Sequence, residues 1–143
     1  MKEMNKSFEV GAKTEIQSIK ITRKEVRQYC EVIDEKSHLY YDVTVAKNKG
    51  FDDIPLPATY PTLFWQKFNI PWLERKGTII QGEQSFSYEE PLVANQTYHC
   101  QIVLEKVRSR LNNDFLYHRL YIYHGDTVAA TGNTTLILIK KDE

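Results

Sequence analysis

Apolar and polar positions change their spacing once along this chain, near residue 78. Before that point apolar residues recur at three- and four-residue spacing, as in helices, and after it they recur at every second residue, as in strands. Four alternating runs follow one another, and the tripeptide His124-Gly125-Asp126 supplies a tight turn. Strands in series joined by turns predict an antiparallel sheet. The apolar faces are expected to hold, run by run, Ile80, Phe86 and Tyr88; Tyr98, Cys100, Ile102 and Leu104; Leu116, Leu120 and Ile122; and Val128, Ala130, Leu136 and Leu138.

Helix signals occupy the first half of the chain. A Thr or Asp before an apolar run of helical period starts a helix, and a Gly after the run ends it. By these rules the sequence predicts, in order, a short strand over 15–21, a helix over 23–33 that begins at Thr22 with Glu25 completing a capping box, and a helix over 43–48 capped by Asp42 and closed by Gly50.

A proline-rich segment between the two halves predicts a buried central helix. Pro55 and Pro57 hold the approach extended, because proline disfavours helix in the residue before it. We expect Thr59 to cap a helix that takes Pro61 into its first turn, and Pro71 to end it. A helix that is apolar on most of its circumference is normally buried, and this one carries Leu63, Phe64, Trp65, Phe68 and Ile70. The expected class is therefore α+β, a helix covered by a curved antiparallel sheet.

Length and charge narrow the class of protein. The chain has 143 residues, 41% of them hydrophobic, which suits one domain with its own core. We expect a mobile arm over residues 1–12 and a single domain over 13–143. Nineteen Lys and Arg balance nineteen Asp and Glu, so the zero net charge argues against nucleic acid and anionic lipid as partners. Neither a signal peptide nor a membrane helix is evident, which favours the cytoplasm.

The cysteines and histidines give no metal-site pattern. Cys30 and Cys100 each stand in an apolar-periodic segment, without C-x-x-C spacing, and are expected to be buried thiols. His99, His118 and His124 fall on or beside separate strands and share no ligand spacing. We therefore predict no bound metal.

Three segments, in order and over more than two-thirds of the chain, carry a family resemblance: 31–64, 81–107 and 123–140. Together they resemble the N-terminal, non-catalytic (FAS1-like) type of MaoC-like dehydratase domain. The resemblance implies a hot-dog fold, a dimer, and a tunnel for the acyl and pantetheine arm of a CoA or acyl carrier protein thioester. It also implies a role in fatty acid metabolism without a cofactor of its own, since the substrate carries CoA or phosphopantetheine.

The resemblance also locates the family's catalytic positions. Active relatives hydrate enoyl thioesters, or dehydrate 3-hydroxyacyl thioesters, through the pattern D-x-N-P-x-H followed by an acidic residue, here Asp42. In this register the catalytic Asp falls on Glu35 and the catalytic His on Tyr40. A carboxylate and an imidazole must polarise water together, and a phenol with a pKa near 10 does not replace imidazole near neutrality. The resemblance therefore implies a subunit that binds substrate while a hot-dog partner supplies the catalytic pair.

Two active alternatives remain open. Glu35 can serve as a base with its carboxylate displaced by about one methylene, or Asp34 and His38, four residues apart, can form a displaced pair. The plainer interpretation is that Asp34 ends the first helix and His38 fills a loop. A thioesterase ranks lower, because the segment from Thr59 to Ile70 contains no acidic residue to activate water.

Substrate contacts are expected at two further places. Thr59 can present backbone N–H groups to a thioester carbonyl, although a simple helix cap would select the same residue. The other candidates, each with packing or a solvent-facing strand position as its plainer role, are Asp42, Tyr60, Pro61, Phe64, Gly82 and Glu83.

Overall fold

Five strands and a set of short helices form the described part of the chain, residues 8–74 and 77–139 of a computed structural model. The strands are β1 Gln17–Lys20, β2 Thr78–Tyr88, β3 Thr97–Arg110, β4 Asn113–His124 and β5 Thr127–Ile139. The helices are α1 Arg23–Val32, α2 Val43–Asn48, the single 3-10 turns His38–Tyr40 and Pro71–Leu73, and a 3-10 helix Tyr60–Lys67, called the central helix below.

One antiparallel sheet contains all five strands, in the order β1-β3-β4-β5-β2. Its inner face is apolar and buried, because side chains alternate across the strands. Residues 11–14 precede β1 and lie along the same edge of β3. The amides of Gly11 and Thr14 donate to the carbonyls of Leu104 and Ile102 at 2.7 and 2.9 Å. The predicted arm, 1–12, lies partly outside the described residues, and its described end follows β3 in this way.

Three one-residue bulges bend the sheet. They lie between Gln81 and Gln84 on β2, between Leu104 and Lys106 on β3, and opposite the β4 pair Ile122 and Tyr123 on β5. An extra residue reverses the facing of everything on one side of it. The predicted runs on β3 and β4 are confirmed, with Tyr98, Cys100, Ile102, Leu104, Leu116, Leu120 and Ile122 all buried.

Two predicted facings are wrong, and the bulges are the reason. Ile80 pairs with Ile137 in the outer row, whereas Phe86 pairs with Gly132 in the inner row, so the two do not share a face. Val128 likewise lies on the other side of the β5 bulge from buried Ala130. A strict two-residue period read from the sequence does not contain the extra residue.

Both predicted α-helices are present with their predicted caps. The Thr22 hydroxyl accepts from the amide of Glu25 at 3.1 Å, and the Glu25 carboxylate accepts from the amide of Thr22 at 2.9 Å, which completes the capping box. Asp42 accepts from the amide of Thr44 at 2.9 Å at the start of α2. Gly50 follows α2 with φ of +97°, the left-handed conformation that favours glycine.

The central helix differs from its prediction in type, length and cap. It is a 3-10 helix that ends at Lys67, and the Thr59 side chain does not cap it. Its first turn uses i to i+3 bonds, from the amide of Tyr60 to the carbonyl of Pro57 at 2.9 Å and from Thr62 to Thr59 at 3.1 Å. Pro61 has no N–H to donate, and the Thr59 hydroxyl is 2.7 Å from the hydroxyl of Tyr29 instead.

The two cysteines are buried free thiols, as predicted. Within residues 8–74 and 77–139, no helix is both long enough and apolar enough to cross a membrane.

Candidate functional site

The segment between α1 and α2 carries Glu35 and Tyr40, the two positions at which the sequence predicts the counterparts of a catalytic pair. Asp34 ends α1 in the left-handed conformation, with φ of +59°. The chain then turns back, because the Glu35 amide donates to the carbonyl of Cys30 at 2.8 Å and the Tyr41 hydroxyl donates to the carbonyl of Glu35 at 2.8 Å. The segment is thus fixed against the end of α1.

Glu35 and Tyr40 are both half-buried, and each has a structural partner. The Glu35 carboxylate accepts from the amide of Ser37 at 3.1 Å. The Tyr40 ring packs against the main core, and burial, together with the negative charge of Glu35, raises its pKa above the usual value for a phenol. Tyr40 therefore stays protonated near neutrality and offers no base.

Asp34 and His38, the displaced alternative, lie at the surface. The Asp34 carboxylate is 3.6 Å from the ammonium of Lys36, and both side chains are 82% exposed. His38 is exposed too, and its carbonyl accepts from the amides of Tyr41 and Asp42 at 3.0 and 2.9 Å. Charges that are exposed to water interact weakly. Asp34 and His38 therefore lack the buried surroundings of a catalytic acid and base.

The predicted binding residues at the start of the central helix lie together against α1. Tyr60, Pro61 and Phe64 are buried, and the Tyr60 ring centroid is 4.9 Å from that of Tyr29 and 6.2 Å from that of Phe64. Burial, with the charge of Glu25 adding to it, raises the pKa of Tyr60 to about 12. These side chains form the buried face of the central helix, through which it packs against α1.

Gly82 and Glu83 lie elsewhere, in the β2 bulge on the exposed side of the sheet. Their neighbour Gln84 points inward. Its Oε1 accepts from the Thr62 hydroxyl at 2.9 Å, and its Nε2 donates to the Thr134 hydroxyl at 3.2 Å. Gln84 therefore ties the central helix to β5, a role that the sequence pattern did not reveal.

A cluster of two half-buried tryptophans and one buried histidine joins the central helix to β4. The indole N–H of Trp72 donates to Nε2 of His118 at 2.9 Å, with the two rings stacked at 6.0 Å. The ring of Trp65 meets His118 edge-on at 5.3 Å. Burial lowers the pKa of His118 to about 4, so the imidazole is neutral at pH 7.

Trp65 leaves one polar group in this cluster unsatisfied. Its indole N–H is buried and has no hydrogen-bond partner in the described part of the chain. A buried donor without an acceptor costs about 1–3 kcal/mol. The sequence holds one signal for the cluster, since His118 occupies an inward position between Leu116 and Leu120.

Metal-ligating side chains do not converge in the part of the chain described here. No group of three or more His, Cys, Asp or Glu side chains within residues 8–74 and 77–139 is arranged to hold a metal ion.

A family model described as the FAS1-like dehydratase domain region matches residues 9–129. The chain belongs to this family. Among relatives of this FAS1-like dehydratase domain, a UPF0336 protein of Saccharopolyspora erythraea is 26% identical over 125 residues, covering 82% of this chain and 80% of that protein. A UPF0336 protein of Mycobacterium tuberculosis is 20% identical over 122 residues, covering 80% of this chain and 77% of that protein.

Solved structures share the fold of this FAS1-like dehydratase domain. The C-terminally truncated HadBC (3R-hydroxyacyl-ACP dehydratase) complex of Mycobacterium tuberculosis matches with a TM-score of 0.83 and 18% identity, over 93% of this chain and 99% of that chain. The (R)-hydratase of A. caviae involved in PHA biosynthesis matches with a TM-score of 0.69 and 21% identity, over 92% of this chain and 98% of that chain. A MaoC-like dehydratase matches at 0.84 and 21%, and this chain spans 43% of its length. The expected α+β hot-dog fold is confirmed.

Protonation of His118 should weaken the fold of this FAS1-like dehydratase domain. The unfolded chain takes up a proton at His118 below about pH 6.5, whereas the folded chain resists it until about pH 4. The free energy of unfolding should therefore fall as pH drops through this window, by up to about 3 kcal/mol from this residue. Urea denaturation at several pH values measures it.

The matched variants separate His118 from the carboxylates that titrate in the same range. His118→Gln keeps an acceptor for Trp72 and should flatten the pH dependence between 6.5 and 4. Replacing exposed His99 by Gln should leave the profile of the parent protein unchanged. A parallel profile for His118→Gln and the parent would contradict the assignment.

Proposed function

We propose that this domain binds the acyl chain and pantetheine arm of a CoA or acyl carrier protein thioester in the cytoplasm, as a subunit without its own catalytic pair. In the working enzyme a second hot-dog subunit supplies the Asp and His that hydrate an enoyl thioester or dehydrate a 3-hydroxyacyl thioester. The reaction class is that of the FAS1-like dehydratase family and of the hydratase and dehydratase that share its fold.

The observation that carries the proposal is the state of positions 35 and 40. Hydration adds a hydroxyl to C3 and a proton to C2 of the enoyl thioester, so it requires one group that accepts a proton from water and one that donates. Glu35 is held by the Ser37 amide, and Tyr40 is a protonated phenol packed in the core. Neither arrangement provides a poised imidazole–carboxylate pair.

The unpaired indole N–H of Trp65 supports thioester binding. It lies on the central helix, buried beside His118 and the second core cluster formed by Leu104, Leu116 and Leu136. A thioester carbonyl, or an amide carbonyl of the pantetheine arm, is the acceptor that would satisfy it. An apolar surround with one directed donor is the pattern of a site for an acyl chain with a polar end.

Glu35 keeps an active enzyme as the second candidate. Its carboxylate is half-buried and close enough to Tyr40 to raise the phenol's pKa. In that mechanism Glu35 takes the proton from water as the hydroxyl adds to C3, and the resulting carboxylic acid returns this proton to C2.

Acyl-CoA binding without turnover is the expected behaviour of the purified chain. Saturated acyl-CoA should change the fluorescence of Trp65 and Trp72, whereas CoA alone should change it little. Crotonyl-CoA and longer enoyl-CoAs should bind but retain their enoyl absorbance. Adding a catalytic hot-dog partner should then allow the absorbance to fall.

Matched variants test the site. Trp65→Phe keeps an aromatic ring at this position but removes the unpaired indole N–H, and should weaken acyl-CoA binding by about tenfold. Trp72→Phe should retain affinity, because the Trp72 N–H already donates to His118. Turnover by the chain alone that is lost in Glu35→Gln or His38→Ala would replace the proposal with the active alternatives, and unchanged binding in Trp65→Phe would remove Trp65 from the site.

The free edge of β2 supports a paired assembly. β2 has eleven residues, and among the described residues only β5 pairs with it. Ile79 and Ile80 on this strand are 38% and 46% exposed. A long edge strand with exposed apolar residues is prone to pair with another chain, and twofold pairing is the commonest solution. We propose a homodimer through β2 when the chain is alone, and the catalytic partner at the same edge in the working enzyme.

Light scattering of the purified chain should give the mass of a dimer. Ile80→Lys places a charge at the proposed interface and should give a monomer that remains folded by circular dichroism. Ile16→Lys, at a 63% exposed position before β1, should remain dimeric. A monomeric parent protein, or a dimeric Ile80→Lys, would contradict pairing through β2.

A further inference from the structure

A surface cavity of about 350 Å³ lies at the end of the sheet, away from the residues of the proposed acyl-thioester site. Three segments enclose it: the turn after α2, the loop between β2 and β3, and the hairpin turn between β4 and β5. The lining residues used below are Phe51, Asp52, Glu90, Gln96, Tyr98 and His124. None of them belongs to the proposed acyl-thioester site.

A carboxylate–imidazole pair forms one side of the cavity. Nδ1 of His124 is 2.6 Å from Oε2 of Glu90, two residues that are 34 positions apart in the sequence. With the imidazole neutral, the Nδ1–H donates to Glu90 and Nε2 keeps an acceptor lone pair. The ring of His124 meets that of buried Tyr98 edge-on at 5.6 Å, which fixes its orientation.

The polar groups of the cavity are mostly acceptors. Asp52 adds a second carboxylate to that of Glu90, and the amide nitrogen of Gln96 already donates to the carbonyl of Thr97 at 3.2 Å. Burial raises the pKa of Tyr98, and the charges of Glu90 and Asp52 raise it further, so both carboxylates lie near this ring. Lys47 and Lys49 precede the turn but do not line the cavity.

We propose that this cavity binds a small organic cation with a primary ammonium or guanidinium group. Such a cation presents several N–H donors to the two carboxylates and to Nε2 of His124. The half-buried side chain of Phe51 adds an apolar part to the lining, against which the carbon chain of such a cation can pack. The volume is within the range of small-molecule sites.

Titration with 1,4-diaminobutane, followed by two-dimensional amide NMR, tests the proposal. The diammonium ion should shift the amide signals of Phe51, Val93 and Gln96 in a saturable manner. Butane-1,4-diol, its neutral analogue, and potassium chloride at matched ionic strength should not. The protein needs no acyl thioester for this experiment, so its outcome is independent of the proposed function.

Charge-removing variants complete the test. Glu90→Gln and Asp52→Asn should each weaken binding by about tenfold or more. Glu89→Gln removes a neighbouring carboxylate that does not line the cavity and should leave the affinity unchanged. Equal shifts with the diol, shifts that follow ionic strength alone, or equal weakening in Glu89→Gln would each overturn the proposal.

Discussion

The structure depends on covering one apolar sheet face. Strands β3, β4 and β5 carry buried side chains on the same side, and water must be excluded from all three. Among the described residues, the segment that covers this face is a short 3-10 helix of eight residues with Pro61 in its first turn. Anchors therefore hold the segment in place: Tyr29 at Thr59, Gln84 at Thr62, and the main-chain pairing of residues 54–56 with 92–94.

Local rules predicted the elements whose signals are local. The Thr22 capping box and the Asp42 cap involve residues at most three apart, so the sequence contains the whole interaction. Thr59 has the same chemistry, but a tyrosine thirty residues earlier takes its hydroxyl. The bulges are also invisible to a two-residue pattern, which is why the facings of Ile80 and Val128 were wrong. The same limit applies to sites, because Glu90 and His124 meet only through the fold.

The candidate site contains two positions that the sequence predicted and a tryptophan–histidine cluster that it did not. Positions 35 and 40 were predicted from a resemblance to the family's motif, and in the structure Glu35 accepts from the Ser37 amide while Tyr40 packs against the main core. The tryptophan–histidine cluster could not be located in that way, because Trp65, Trp72 and His118 converge from two helices and a strand. Its one buried donor without a partner among the described residues is the indole N–H of Trp65.

The bulge on β2 has a consequence for how this strand can change in length. Successive side chains of a strand point to opposite faces of the sheet. Inserting or deleting one residue at most points of β2 would therefore move the side chains beyond that point to the opposite face. Phe86 would then leave its place over Gly132, and Gln84 would lose Thr134. Between residues 81 and 84 the ladder already carries an odd residue. Deleting one residue within that short stretch would restore the regular ladder and leave the facing of the rest of the strand unchanged.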